Sequence, residues 1–157
     1  MKARGWPEHK YRTADKGSAS DAVPLNSDQQ GQWQPEGTIL IVDDDRNIRL
    51  VTSAMVEDMG FKAMRARGGF ETLDLYRRHQ DEITGVLMDL SMPGMDGREC
   101  CRELLNMDPT VKIVLASGYP EQEAGIRFSD RGLAGFIQKP YSLAALKAVL
   151  ETAFRKR

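Results

Sequence analysis

The chain has 157 residues, enough for one domain of roughly ordinary size, and its 22 basic and 23 acidic residues leave a net charge of −1, a balance that gives no reason to expect nucleic acid or a polyanionic surface as partner. The two cysteines, Cys100 and Cys101, are adjacent, which excludes a disulfide framework or a cysteine zinc cluster and suits reduced thiols on a helix. The sequence holds neither a signal-peptide core nor a run approaching ~18 apolar residues, so the expectation is a soluble, cytoplasmic protein with no membrane span.

Residues 1–37 carry Pro7, Pro24 and Pro35, a Ser/Asp/Gln-rich middle and no apolar period, and are expected to form a disordered leader or linker ahead of a domain at 38–157. Its basic residues come early (Lys2, Arg4, Lys10, Arg12, Lys16), and both tryptophans, Trp6 and Trp33, lie within it. From Thr38 short apolar runs alternate with helical periods. Ile39-Leu40-Ile41-Val42 is a β-branched run suited to a strand covered on both faces, and Asp43-Asp44-Asp45 ends it. Ile48, Val51, Met55 and Met59 recur at helical spacing up to Gly60, a stop signal. Phe61 to Ala66 reads as a second strand, and Phe70, Leu73, Leu75 and Tyr76 mark a helix ending near His79.

Gly85 to Met88 is the third strand, leading to Asp89 and a loop punctuated by Pro93-Gly94; Asp96-Gly97 is either a second turn or the start of the next helix. Cys101, Leu104 and Leu105 give the third helix its inner face, and Asp108-Pro109 stops it. Val111 to Ala116 is a fourth strand ending at Ser117-Gly118. A fourth helix from about Pro120 to Arg131 is weakened by Gly125, since Gly inside a helix costs about 1 kcal/mol against Ala. Ala134 to Ile137 is a fifth strand, Lys139-Pro140 follows, and Ser142 caps a last helix lined by Leu143, Leu146, Val149 and Leu150. The expected fold class is α/β: βαβ units with right-handed crossovers and a five-stranded parallel sheet covered by helices on both faces.

In such a sheet, ligands bind beyond the carboxyl ends of the strands where the strand order reverses. The polar residues just past those ends are Asp43 and Asp44, Asp89, Ser117 and Lys139. In the order 2-1-3-4-5, strands one and three flank the reversal, so Asp43, Asp44 and Asp89 converge. Three carboxylates repel one another, and one lysine does not neutralise them. A divalent cation does, and all-oxygen ligands favour Mg2+ or Mn2+ over zinc. The compact charge of Lys139 and the Ser117 hydroxyl suit phosphoryl oxygens, which makes Asp89 the attacking oxygen of a phosphoryl-transfer site.

The order Asp-Asp, Asp-x-x-Met-Pro-x-Met-Asp-Gly, Ser, Lys-Pro, spread over Thr38 to the C-terminus, resembles the receiver domain of two-component response regulators, a (βα)5 flavodoxin-like fold. The resemblance implies that Asp89 accepts a phosphoryl group from a histidine of a kinase or phosphotransfer protein. It implies that Asp44, Asp89 and the Ser91 backbone carbonyl contact Mg2+, with Asp43 acting largely through water, and that Ser117 and Lys139 hold phosphoryl oxygens. Lys139-Pro140 is expected to be cis. Phosphorylation in the family draws the Ser/Thr hydroxyl inward and an aromatic on the fifth strand follows, here Phe136, remodelling the face of helix four, strand five and helix five for an unnamed protein target. Ser91 and Tyr119 match positions that tune dephosphorylation; on this reading Tyr119 shields the acyl phosphate from water. The protein is then a signalling receiver that catalyses only its own phosphorylation and dephosphorylation. The stretches at 115–120 and 136–140 look like receivers fused to hybrid kinases. No output domain is expected after the last helix.

Other readings exist for the same residues. Asp45 is expected to cap a helix rather than ligate a metal, the two cysteines to sit in or beside the core, and His9 and His79 to be surface residues. Asp43-x-Asp45 resembles the nucleophile and acid pair of haloacid-dehalogenase-like phosphatases. However, position 47 is Asn where that family has Thr or Val, neither a cap insertion nor a later acidic pair follows, and Asp89 goes unused. A phosphorylation-independent interaction module would need a broken site, and none of the expected groups is missing.

Overall fold

The computed structural model describes residues 33–124 and 132–155. Five parallel strands, β1 (Thr38–Val42), β2 (Lys62–Ala66), β3 (Ile83–Asp89), β4 (Ile113–Ser117) and β5 (Leu133–Gln138), form one sheet of order β2-β1-β3-β4-β5. Between them run α1 (Arg46–Met59), α2 (Gly69–His79), α3 (Gly97–Met107) and α4 (Glu121–Ala124), and α5 (Leu143–Phe154) follows β5. All five residues of β1 and of β4 are buried, as central strands with helices on both sides must be, whereas in β2 at the edge only Ala66 is fully buried. Leu40, Val42, Val86, Met88, Ile113 and Leu115 point to one side, into a core shared with Tyr76 of α2 and Cys100 and Leu104 of α3. The alternate residues face the side of α1 and α5, where the Phe61 and Phe154 rings meet edge to face at 6.5 Å. Phe154 lies so close to β3 that a Cβ on Gly85 would come within 2.2 Å of its ring; the glycine in that strand makes room for the helix.

The helix signals work as polar capping predicts. Asp45 caps α1, accepting from Asn47 N at 2.8 Å and Ile48 N at 3.2 Å. Asp96 caps α3 through Glu99 N at 2.9 Å, so Asp96-Gly97 starts a helix and is not a second turn. Ser142 caps α5 through Ala145 N at 3.0 Å. Gly60 ends α1 at φ 121°, in a region a side chain disfavours.

The buried faces of all four longer helices differ from the apolar residues that mark them; in α2, Phe70 is 73% exposed while Thr72 is buried with Tyr76. In α1 the buried residues are Thr52, Ser53 and Val56, while Val51 is 55% exposed and Ile48 and Met55 are only half-covered. The hydroxyls of α1 can be buried because they are satisfied: Ser53 Oγ donates to Arg49 O at 2.7 Å, and Thr52 Oγ1 shares a hydrogen bond of 2.8 Å with Tyr141 OH. In α3 the face is turned by about one residue, to Gly97, Cys100, Cys101 and Leu104, leaving Leu105 partly covered. In α5 Leu143 is exposed, and Ala153 and Phe154 complete the buried stripe with Leu146 and Leu150.

The expected leader falls almost wholly outside the described residues, as does the fourth helix beyond Ala124, including Gly125. Next to β1, Gly37 O accepts from Lys62 N at 2.9 Å and Glu36 O from Thr84 Oγ1 at 3.2 Å. Among the described residues no helix is long and apolar enough to cross a membrane.

Candidate functional site

Because β1 and β3 are neighbours in register, Val42 beside Met88, the residues that follow them meet above the same edge of the sheet. Asp43 and Asp89 are 4% and 5% exposed, too deeply placed for either charge to rely on water. Asp44 is exposed at the rim. Single oxygens of Asp43, Asp44 and Asp89 all lie within 4.8 Å of one another.

Two strands further on, Lys139 follows β5 and returns over the end of β4. Its backbone N–H donates to Ser117 O at 2.7 Å, and Nζ reaches Asp43 Oδ2 at 2.9 Å and Asp89 Oδ1 at 3.0 Å. The Lys139-Pro140 peptide is cis, as expected. Ser117 is fully buried, its Oγ accepting from Tyr119 N at 3.0 Å, which leaves its own O–H as a donor. Ser91 N donates to Asp89 Oδ1 at 3.4 Å. Gly97 closes the loop from below, donating to Leu90 O at 2.9 Å. A Cβ there would lie 2.5 Å from Asp89 O and 2.7 Å from Leu90 Cα, so only glycine lets α3 start this close to the end of β3.

The electrostatics follow from this crowding. Burial, with the charge of Asp43 beside it, pushes the Asp89 carboxyl up to about 6, against the opposing pull of Lys139 and the Ser91 N–H. Burial alone would pull the Lys139 ammonium down, yet its hydrogen bonds to Asp43 and Asp89 outweigh that and hold it above the ordinary lysine value. One ammonium against three carboxylates leaves an excess of negative charge in a partly dry site. The donor set is all oxygen and its members are within one ion's reach of each other, which fits Mg2+ or Mn2+ and not a thiophilic metal.

The expected residues are therefore sorted by the fold. Asp43, Asp44, Asp89, Ser91, Ser117 and Lys139 come together. Tyr119 stands at the rim, 63% exposed, and Phe136 is half-buried against the core. Asp45 is turned away as a cap. Cys100 and Cys101 are buried, and burial pushes both thiols up to about 12, which leaves them unreactive. His79 lies near Glu82, with Nδ1 3.7 Å from Oε1; His9 is outside the described residues.

Three participants escaped the sequence reading. Arg49 Nη1 donates to the backbone carbonyl of Asp43 at 2.8 Å. Tyr141, two residues past Lys139, is tied to Thr52 of α1. Gly97 permits the tight loop. Only the last had a visible signal, the Asp-Gly pair; the others depend on which helix packs against the site.

Comparison with known proteins agrees with this arrangement. The family described as response regulator receiver domain matches residues 39–151. The chemotaxis protein CheY of Listeria monocytogenes is 30% identical over 116 residues, covering 73% of this chain and 96% of that protein. The sensor kinase CckA of Brucella abortus is 29% identical over 120 residues, 76% of this chain; the chain spans only 13% of that kinase. Among solved structures, the CheX–CheY complex with BeF3 and Mg2+ from Borrelia burgdorferi is similar at 26% identity and a TM-score of 0.68, covering 84% of this chain and 96% of the other. A family match across most of the chain, carried on a sheet of order 2-1-3-4-5, means that the chain belongs to the response regulator receiver domains of two-component systems.

Proposed function

We propose that the domain accepts a phosphoryl group from a phosphohistidine onto Asp89. The observation that carries this reading is the convergence of Asp43, Asp44 and Asp89 with Lys139 Nζ between two of them, beside a buried serine hydroxyl. An Asp89 carboxylate oxygen forms the new bond to phosphorus as the bond from phosphorus to the donor imidazole nitrogen breaks, and the electron pair leaves with the imidazole. Lys139, already at hydrogen-bond distance from Asp89, keeps that carboxylate ionised and stands within reach of a phosphoryl oxygen placed on it. Ser117 contributes its O–H to another oxygen. Asp44, Asp89 and the Ser91 carbonyl would hold a divalent cation, with Asp43 supporting the site. A bound Mg2+ or Mn2+ supplies neutralisation of the phosphoryl charge.

Once Asp89 is phosphorylated, the pull on the Ser117 hydroxyl vacates space behind it. Phe136, on the strand paired with β4, follows, and the α4–β5–α5 face changes shape for a protein target. Phe136 has no hydroxyl, so this switch works by packing alone. The donor's seat is an apolar groove of about 490 Å3 that opens beside Lys139, lined by Ile48, Val51, Met55, Pro140 and Tyr141. A partner helix laid there brings its phosphohistidine next to Asp89.

Incubation with Mg2+ and acetyl phosphate, followed by intact mass, tests the reading. A phosphate adduct that disappears in Asp89→Asn but forms at reduced rate in Asp43→Asn and Asp45→Asn supports it. An adduct that depends on Asp43 alone overturns it in favour of a haloacid-dehalogenase-like phosphatase.

A further inference from the structure

Arg49 is a half-buried cation beside an acidic site, yet among the described residues it makes no ion pair with any carboxylate. Its Nη1 donates instead to the main-chain carbonyl of Asp43, at 2.8 Å. That carbonyl belongs to the peptide joining Asp43 to Asp44, the pair whose side chains must diverge from one short turn and still converge on Asp89. The turn is held on every side. Asp43 N donates to Ala66 O at 3.2 Å, Asp45 N donates to Asp43 Oδ1 at 2.9 Å, and Asp45 caps the helix that carries Arg49. Arg49 is itself fixed by α1: its N–H donates to Asp45 O at 3.0 Å and its carbonyl accepts from Ser53 Oγ at 2.7 Å. The guanidinium therefore ties the orientation of the Asp43–Asp44 peptide to the frame of α1.

We propose that Arg49 is a positioning residue for the cation site: its bond to Asp43 O fixes the Asp43–Asp44 peptide so that both carboxylates face Asp89. This rests on the phosphoacceptor reading given above. The sign of the effect separates it from simple electrostatics. As a positive charge near a cation site, Arg49 opposes metal binding, so a role through charge alone makes its removal tighten the metal. As an orienting group it does the reverse, because outer partners that hold ligands in place are typically worth on the order of tenfold or more in metal affinity.

The test uses three proteins: wild type, Arg49→Met, which fills the same space without a donor, and Arg49→Lys, which restores one N–H donor to the same place. Mn2+ affinity is read by electron paramagnetic resonance and Mg2+ affinity by competition, alongside thermal melts in EDTA. The expected result is a loss on the order of tenfold in affinity in Arg49→Met with a cooperative melt retained, recovered largely by Arg49→Lys. Acetyl phosphate labelling of Arg49→Met should recover at saturating Mg2+, because Asp89 and Lys139 are untouched. Unchanged or tighter metal binding in Arg49→Met overturns the proposal. If Arg49→Met does not fold, Arg49→Gln, whose neutral amide is too short to reach Asp43 O, decides: a loss of affinity supports the proposal, and unchanged or tighter binding overturns it. A wild type that takes up neither Mn2+ nor Mg2+ removes the metal reading itself, and this inference with it.

Discussion

Replacing Asp89 by Asn should make the cation-free domain more stable while abolishing its phosphorylation. Asp89 carries its charge in the site at a cost, since burial and Asp43 raise its carboxyl from 3.8 to about 6. Each pKa unit is worth about 1.4 kcal/mol, so a shift of roughly two units amounts to about 3 kcal/mol. In the window between those two values the folded state binds the proton that the unfolded state has released, so this group's penalty is absent below about pH 4, grows as pH rises, and is complete above about pH 6. Asn is neutral throughout, keeps an oxygen for Lys139 and the Ser91 N–H, and offers Asp43 an amide donor where it met a like charge. Asp89→Asn should therefore exceed wild type by about 3 kcal/mol at most when measured above about pH 7 in EDTA, with the gap closing towards pH 4.

Urea unfolding of both proteins at several pH values reads this directly, and comparing the two at each pH cancels the titration of the groups that do not touch Asp89. Added Mg2+ should shrink the gap from the other side, because a ligand at about a hundredfold its Kd stabilises the protein that binds it by about 2.7 kcal/mol. If Asp89→Asn is less stable than wild type near neutrality in EDTA, or keeps the same advantage at every pH, the account of Asp89 as a strained charge is wrong.

Val51 is 55% exposed on the groove, so Val51→Glu should leave folding within about 0.5 kcal/mol. It should cut transfer from a phosphohistidine protein on the order of tenfold, the effect of about 1.4 kcal/mol, while acetyl phosphate labelling stays at the wild-type rate; equal loss with both donors would place Val51 in the chemistry instead. Gly97→Ala forces a Cβ against Asp89 O and should cost about 1–3 kcal/mol in a thermal or urea melt, and it should slow acetyl phosphate labelling because the shifted backbone carries Asp89. Tyr119→Ala removes an exposed ring from beside Ser117 and should shorten the lifetime of the acyl phosphate, followed by intact mass after donor removal; an unchanged lifetime would end the shielding reading.

The strand ends were legible because burial and charge conflict there most visibly. Ile39 to Val42 and Gly85 to Met88 have no polar residue, so the first carboxylate after each had to be the one facing the cleft, and Asp43, Asp44 and Asp89 are where that reasoning puts them. Lys139 and Ser117 followed from the same rule. Helix faces were less legible, because period fixes the angular spacing of apolar residues and not which way they point. Cys100 is buried and Leu105 is not, a turn of one position that apolar residue types on both sides could not resolve. The bond from Arg49 to Asp43 O was hidden for a further reason: an arginine six residues past an aspartate says nothing about the carbonyl it meets.

In α1 the apolar period and the buried face do not coincide. Its apolar residues at helical spacing, Ile48, Val51 and Met55, are exposed or only half-covered, and the sheet receives Thr52, Ser53 and Val56. Burying two hydroxyls is neutral only because each is bonded, Ser53 to the turn above it and Thr52 to Tyr141. That second bond fixes where the groove lies, since it brings the segment after Lys139 against α1 and sets Pro140 and Tyr141 beside the displaced apolar stripe. An amphipathic helix normally spends its apolar face on the core. Here a satisfied polar face takes that place, and the apolar residues are left at the mouth of the site, on the groove beside Lys139. The departure from the expected pattern thus has the same physical origin as the proposed docking surface, and Val51→Glu tests both at once.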